Sequence, residues 1–186
     1  MADINGRTPI RITHLEMKAR PEGLPECPRP PEDFRLEKME NLSVAWYRRI
    51  YHAVGDDFSW TDRSRLSDLE LGAIVQDPQV EIFVIRSGDE DAGYAELDCR
   101  NPDDIELAYL GIVPRFHGRG LGRFLLNWAV DYAWRCKKPS RLWIHTETRD
   151  HTAALPMYKR TGFRVFKVVD TFAPPPLPRD SRAPSG

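Results

Sequence analysis

The sequence predicts a mixed α/β (α+β) fold in which a mostly antiparallel central sheet is flanked by helices. Three strand-like segments follow one another at 80–87, 92–100 and 105–113, and turn residues separate them as in hairpins. The third segment leads through a glycine-rich turn into an amphipathic helix at 122–136 and then into a further strand at 141–148. This order of strand, helix and strand predicts a crossover that extends the sheet.

Caps and periodicity predict the remaining elements. Residues 41–55 have apolar side chains at helical spacing, and either Ser43 or Asn41 can cap this helix. Ser67 precedes Glu70 by three residues, which is the spacing of a capping box at the start of a second helix. The additional segments are a strand at 10–17, helices at 41–55, 67–77 and 152–162, and a strand at 163–172.

A single domain is expected over residues 10–172. With 186 residues, the chain is long enough to bury a substantial core. Residues 1–9 are expected to form a flexible N-terminus, and the prolines near the other end predict a flexible tail over 173–186. A second proline-rich segment at 19–34 is predicted to be a loop.

The composition is that of an ordinary soluble protein. A formal net charge of −1 gives no support for nucleic acid or a membrane surface as the main partner. No apolar run approaches the ~20 residues that span a bilayer, and the N-terminus lacks the apolar core of a signal peptide, so a cytoplasmic location is expected. Cys27, Cys99 and Cys136 are widely spaced and have no histidines at metal-ligand spacing. We interpret them as free thiols and expect no metal.

Three glycines, Gly118, Gly120 and Gly122, lie between the predicted strand at 105–113 and the helix that follows it. Glycine lets the backbone approach a ligand closely, and the first N–H groups of a helix have no intrahelical partner. These donors and the positive end of the helix dipole favour a bound phosphate or pyrophosphate. The turn also carries positive charge on Arg115, Arg119 and Arg123.

A glycine-rich connector without a ligand is the alternative interpretation of this turn. No Lys-Ser or Lys-Thr follows the glycines, which excludes a P-loop, and the GxGxxG spacing of dinucleotide folds is not met. The glycines alone therefore leave a phosphate site and an ordinary tight turn both open.

The stretch "IVPRFHGRGLGRFLL" resembles the acyl-CoA signature of the GNAT N-acetyltransferase superfamily. That signature is usually written Gln/Arg-x-x-Gly-x-Gly/Ala, and it falls here on His117, Gly120 and Gly122. A histidine thus stands in the leading position. The backbone amides of the turn would do most of the phosphate binding.

A second stretch, "HTAALPMYKRTGF", resembles the later motif of the same superfamily. Ala154, Tyr158, Gly162 and Phe163 match it, while His151 stands where asparagine is usual. Two spaced motifs in the expected order are more specific than one. The resemblance extends over about residues 10 to 170 and implies the GNAT fold.

The resemblance implies acetyl-CoA as cosubstrate. The glycine turn would hold its pyrophosphate, and the preceding strand would pair its backbone with the pantetheine arm. The implied binding residues are Leu110, Ile112, Val113, His117, Gly118, Arg119, Gly120, Leu121, Gly122, Arg123 and His151.

Acetyl transfer to an amine needs a base, because an alkyl ammonium has a reference pKa of ~10.4. The resemblance points to Glu106, eleven positions before His117, although a solvent-facing strand glutamate is the alternative. Glu96 is the second candidate base, since pairing of the two strands would bring both glutamates to an acidic amine site. A polar outer face of an antiparallel sheet explains Glu96 equally well.

Tyr158 is the candidate acid, because a phenol with a reference pKa of ~10 stays protonated and can donate to the departing thiolate. The alternative is an aromatic core anchor. A backbone N–H near Ile112 would polarise the thioester carbonyl. His145 is expected to be a packed core residue, and Trp60 and Arg63 belong either to the acceptor edge or to the structural framework.

The predicted function is transfer of an acetyl group from acetyl-CoA to a primary amine by direct attack in a ternary complex, since no cysteine lies in either motif. The alternative is a catalytically silent acyl-CoA-binding sensor or scaffold of the same fold. Another phosphate ligand is a third interpretation. The partners are acetyl-CoA and an amine acceptor, either a small molecule or a protein amine. Homodimers are frequent among proteins that the chain resembles, so the oligomeric state is open.

Overall fold

Residues 7–174 form a seven-stranded sheet with helices on both faces in the computed structural model of the chain, which confirms the predicted fold class. The strands are β1 (Pro9–Met17), β2 (Phe34–Lys38), β3 (Val80–Ser87), β4 (Glu90–Asp98), β5 (Asp104–Ile112), β6 (Arg141–Glu147) and β7 (Arg164–Phe172). The α-helices are α1 (Val44–Gly55), α2 (Asp68–Val75), α3 (Leu121–Tyr132) and α4 (Ala154–Thr161). Not one of these helices has the length and apolar character that crossing a membrane requires. The predictions for residues 1–6 and 175–186 lie outside the described residues.

The strand order is β2-β3-β4-β5-β6-β1-β7. All neighbouring strands are antiparallel except β5 and β6, which are parallel. The first strand of the chain therefore lies between the last two strands, with Pro9 opposite Phe172. The β5–β6 pairing covers only residues 104–106 and 141–143. Beyond these positions the two strands are not paired, and the candidate site lies at this opening.

Each face of the sheet has its own apolar core. On one face α3 and α4 pack against the strands, and Leu107 and Leu125 are fully buried there. On the other face α1 and α2 cover β3 and β4, and Tyr47 and Leu71 are fully buried. Burial of a large apolar side chain contributes about 1.5–3 kcal/mol, so both helix layers stabilise the sheet.

The local signals that predict the first two helices are confirmed. Ser43 accepts a hydrogen bond from the Trp46 N–H at 3.1 Å and caps α1. Ser67 and Glu70 form the reciprocal bonds of a capping box at the start of α2. These caps satisfy N–H groups that a helix end otherwise leaves without a partner.

Strand β2 directly follows the predicted proline-rich loop and was not predicted. It pairs with β3 at the sheet edge, where a short strand needs little apolar pattern. The loop itself is attached to α3, because Arg20 and the Cys27 N–H both bond to the buried Asp131 carboxylate. The three cysteines are free, as predicted, with Cys99 buried and the other two exposed.

Candidate active site

Strand β5 contains a bulge at Ala108, which lies next to the candidate site. The register between β4 and β5 shifts so that Glu96 faces Tyr109 and Leu97 faces Leu107, which leaves Ala108 as the extra residue. A bulge bends its strand and increases the local twist. Because β5 also loses its pairing with β6 after Glu106, the backbone that follows is bonded to β4 alone.

The first cavity, called the glycine-turn cavity, has a volume of about 260 Å³. It lies between the end of β5, the glycine turn and α4. Nine of the implied cosubstrate residues line it, namely Leu110, Ile112, His117, Gly118, Gly120, Leu121, Gly122, Arg123 and His151. Val113 and Arg119 do not line it, and the Arg119 guanidinium lies 5.5 Å from the centroid of the Phe116 ring instead.

Two of the three glycines in the turn have a backbone conformation that favours glycine. Gly118 and Gly120 both have φ +78°, a region that side-chain-bearing residues rarely adopt. A Cβ on Gly122 would lie 3.8 Å from Ile112 Cγ1, which is an ordinary contact. No side chain caps α3, in contrast to α1 and α2, so its first N–H groups remain available to a ligand at the cavity.

Two histidines form one wall of the glycine-turn cavity. The Nε2 atom of His117 lies 2.8 Å from the Ile112 carbonyl oxygen, which ties the turn to the end of β5. The His117 and His151 rings are nearly perpendicular, with centroids 5.5 Å apart. The Ala153 N–H donates to His151 Nδ1, so this ring is fixed at the start of α4.

The second cavity, called the carboxylate cavity, has a volume of about 190 Å³ and lies on the other side of the opening. The ends of β1 and β7 close it with Ile10 and Phe172. Its acidic and basic lining residues are Asp62, Glu147, Asp150, Arg149 and His145. Three carboxylates against one guanidinium make this cavity attractive to a cation. Residues 7–174 contain no group of three or more His, Cys, Asp or Glu side chains placed to hold a metal ion.

The two cavities share four lining residues, Trp60, Leu110, Asp150 and Tyr158. Asp150 is held firmly at this junction by the Trp60 Nε1–H at 2.9 Å, the Thr146 hydroxyl at 2.7 Å and the Glu147 N–H at 2.9 Å. Tyr158 is only 5% exposed, and burial together with the Asp150 charge raises its pKa. Its phenol therefore stays protonated at the junction at neutral pH.

Glu106 lines neither cavity but is connected to one of them through His145. Its Oε1 atom lies 3.2 Å from His145 Nδ1. That hydrogen bond raises the pKa of His145, although burial opposes the increase. The His145 side chain is 40% exposed and lines the carboxylate cavity, so the expectation of a packed core residue is wrong.

Glu96 lies beneath α1 and also lines neither cavity. Its carboxylate is fully buried. It accepts a hydrogen bond from the Tyr47 hydroxyl at 2.5 Å and forms an ion pair with Arg63, whose Nη2 atom lies 2.5 Å away. Burial raises the pKa of Glu96, while Arg63 and Tyr47 oppose the increase. The structure thus separates the two candidate bases, with Glu106 near an open cavity and Glu96 enclosed.

Sequence reasoning did not identify Asp150, and it left Trp60 undecided. Both lie in loops that the fold brings together at the opening, since the Trp60 indole donates to Asp150 across a long sequence separation. One signal for Asp150 was present, because it lies in the loop two residues after the predicted strand at 141–148, and such loops often carry binding and catalytic residues.

Residues 37–163 match the model of the Acetyltransferase (GNAT) family. The chain belongs to this family. A mycothiol acetyltransferase of Acidothermus cellulolyticus is 34% identical over 164 residues, which cover 81% of this chain and 48% of that protein. N-alpha-acetyltransferase RimI of Mycobacterium tuberculosis is 34% identical over 82 residues, which cover 42% of this chain and 49% of that protein.

A GCN5-related N-acetyltransferase from Sphaerobacter thermophilus has the same fold as this GNAT chain, with a TM-score of 0.61 and 18% identity. The similarity covers 92% of this chain and 55% of that structure. The chain spans about half the length of the curated relatives it matches first. The family match includes the glycine turn and α4, whereas β1 and β7 lie outside it.

Proposed function

We propose that the chain is an acetyl-CoA-dependent N-acetyltransferase that acetylates a primary amine by direct attack in a ternary complex. The observation that carries the proposal is the junction of two cavities of different chemistry at Trp60, Leu110, Asp150 and Tyr158. One cavity offers backbone donors for a phosphate, and the other offers carboxylates for a cation. None of the three cysteines lines either cavity, which favours direct transfer over a covalent acyl-enzyme.

The glycine-turn cavity would hold acetyl-CoA. The first N–H groups of α3 and the exposed Arg123 side chain would bind its pyrophosphate, as helix N-termini bind anions. The unpaired side of β5 around Leu110 and Ile112 would bind the pantetheine arm through the backbone. This arrangement would bring the thioester to the junction.

The carboxylate cavity would receive the amine as a cation. Asp62 is exposed at this cavity, and the Asp150 carboxylate is fixed at its inner end. Their charges would attract an ammonium group and orient it towards Tyr158. The proposed acceptor class is therefore a cationic primary amine.

His145, oriented by Glu106, would remove the proton that leaves the amine. The neutral amine nitrogen would then attack the thioester carbonyl carbon and form the C–N bond. As the C–S bond breaks, Tyr158 would give its phenolic proton to the sulfur, and the second proton that nitrogen must lose to become an amide would restore the phenol. A backbone N–H near Ile112 would stabilise the carbonyl oxygen during attack. In this scheme the Glu106 carboxylate acts through the imidazole, since His145 and not Glu106 lines the cavity.

Substitution Tyr158→Phe is expected to lower kcat by about 10²-fold, because it removes the proton donor and keeps the buried ring. The melting temperature should stay within a few degrees of the parent value. Steady-state kinetics and thermal unfolding measure both quantities. A kcat within threefold of the parent would assign Tyr158 to core packing alone.

The test of the function is release of CoA thiol from acetyl-CoA in the presence of lysine peptides, peptides with free N-termini, polyamines, aminoglycosides and amino acids. Calorimetric titration of acetyl-CoA is made on the same sample. Amine-dependent release supports the proposal and names the acceptor class. Binding of acetyl-CoA without release from any amine would favour the acyl-CoA sensor, and absence of binding would contradict the cosubstrate assignment.

A further inference from the structure

A buried ion pair, Arg63–Glu96, joins the centre of the sheet to a segment that forms a wall of both cavities. The Arg63 side chain is 13% exposed and the Glu96 side chain 0%. The adjoining residues of the segment reach the site, because Trp60 lines both cavities and Asp62 lines the carboxylate cavity. We call residues 60–62 the wall segment.

The wall segment connects α1 and α2 and pairs with no strand. The Trp60 N–H attaches it to α1 by donating to the Gly55 carbonyl at 3.1 Å, and the N–H of the adjacent Arg63 donates to the Tyr51 hydroxyl at 3.3 Å. The Arg63 guanidinium instead reaches across to β4. It also lies 5.1 Å from the centroid of the Tyr109 ring, and Tyr109 lines the carboxylate cavity.

Stability alone is a poor explanation for this pair. The free energy lost when two charges are removed from water is about as large as the free energy gained from their attraction. A protein with an apolar pair of similar size in place of the ion pair is therefore often equally stable. The Arg63 Nε atom is in addition buried without a hydrogen-bond partner, which is a further cost. The direct effect of the pair is to fix the position of Arg63, and hence of the wall segment, relative to β4 and β5.

We propose that Glu96 is a positioning residue that acts through Arg63 to hold the wall segment, and thereby sets the binding geometry of the amine acceptor. This role rests on the proposed acetyltransferase function. It differs from the role of a base, because Glu96 is enclosed by Tyr47 and Arg63 and lines neither cavity.

The test compares the parent, Glu96→Gln, and the paired variant Glu96→Met with Arg63→Met. Hydrogen exchange of peptides covering residues 59–66 reports the wall segment without any need for activity. We expect exchange there to be about tenfold faster in Glu96→Gln, with exchange in α3 unchanged. The KM for the amine should rise by about tenfold or more, while acetyl-CoA affinity changes by less than about threefold.

The paired variant separates positioning from stability. We expect it to unfold at a temperature closer to that of the parent than Glu96→Gln does, because no charge is left buried alone and only the Tyr47 hydroxyl loses its acceptor, but to keep the fast exchange and the raised KM. Parent-like exchange and KM in the paired variant would overturn the proposal. Loss of the acid limb of the pH–rate profile in Glu96→Gln with an unchanged KM for the amine would also overturn it, since that result makes Glu96 the base. If the parent acetylates no amine, the proposed function fails, and the exchange measurement still decides whether the pair holds the wall segment.

Discussion

Substitution His145→Gln is expected to lower kcat by about 10²–10⁴-fold, the usual contribution of a general base. The imidazole lines the carboxylate cavity, bonds to Glu106, and is the base in the proposed scheme. Acetyl-CoA affinity should stay unchanged, because His145 does not line the glycine-turn cavity. Steady-state kinetics and calorimetry provide the two values.

The matched control for His145 is His14→Gln. The two rings are neighbours, with centroids 5.7 Å apart, but His14 lines neither cavity. A kcat close to the parent value is expected for this control. Equal losses in both variants would mean that the loss comes from disturbed packing of the neighbouring strands.

The pH–rate profile tests the link between Glu106 and His145. The Glu106 hydrogen bond raises the pKa of His145, so Glu106→Gln should lower that pKa. The neutral, proton-accepting imidazole then forms at lower pH, and the acid limb of kcat/KM moves to lower pH. The plateau also falls, because a weaker base removes the amine proton less effectively. An acid limb that does not move would remove His145, or its link to Glu106, from the mechanism.

Substitution Gly122→Glu is expected to weaken acetyl-CoA binding by on the order of 10²-fold, because it places a carboxylate beside the proposed pyrophosphate site. Gly122 lines the glycine-turn cavity at the start of α3. Calorimetric titration of acetyl-CoA measures the effect, and circular dichroism verifies that the variant is folded. Unchanged affinity in a folded variant would contradict a phosphate site at this turn.

Gly122→Ala is the control, because a Cβ at this position meets only an ordinary contact at 3.8 Å. Alanine in a helix is favoured over glycine by about 1 kcal/mol, so this variant should be at least as stable as the parent. Its acetyl-CoA affinity should remain within about threefold of the parent value. Gly118 and Gly120 are poorer test positions, since their φ of +78° strains any residue with a side chain. A loss of affinity there could come from a disturbed fold as well as from a lost contact with the ligand.

The parts of the fold that depend on neighbouring residues could be predicted from the sequence. The capping box at Ser67 and the helix after the glycine turn follow from spacing within a few residues, and both elements form. Strand β2 was missed because five residues with mixed polarity carry little periodic signal.

The candidate site was less predictable, because long-range packing brings its parts together. Alternation along β4 placed Glu96 on a polar face, but α1 covers that face and supplies Tyr47 as a partner. His145 was expected in the core, yet the short β5–β6 pairing leaves an opening that exposes it. Neither the bulge at Ala108 nor the separation of two parallel strands has a local sequence pattern that would reveal it.

The position of β1 between β6 and β7 determines the order in which the two halves of the site can form. The lining of the glycine-turn cavity begins at Val54 and ends at Tyr158, so the chain completes this half before β7 exists. The carboxylate cavity also needs Ile10 and Phe172, from opposite ends of the described chain. During synthesis the chain therefore completes the residues of the proposed cosubstrate half first, and the proposed acceptor half is complete only when β7 has docked.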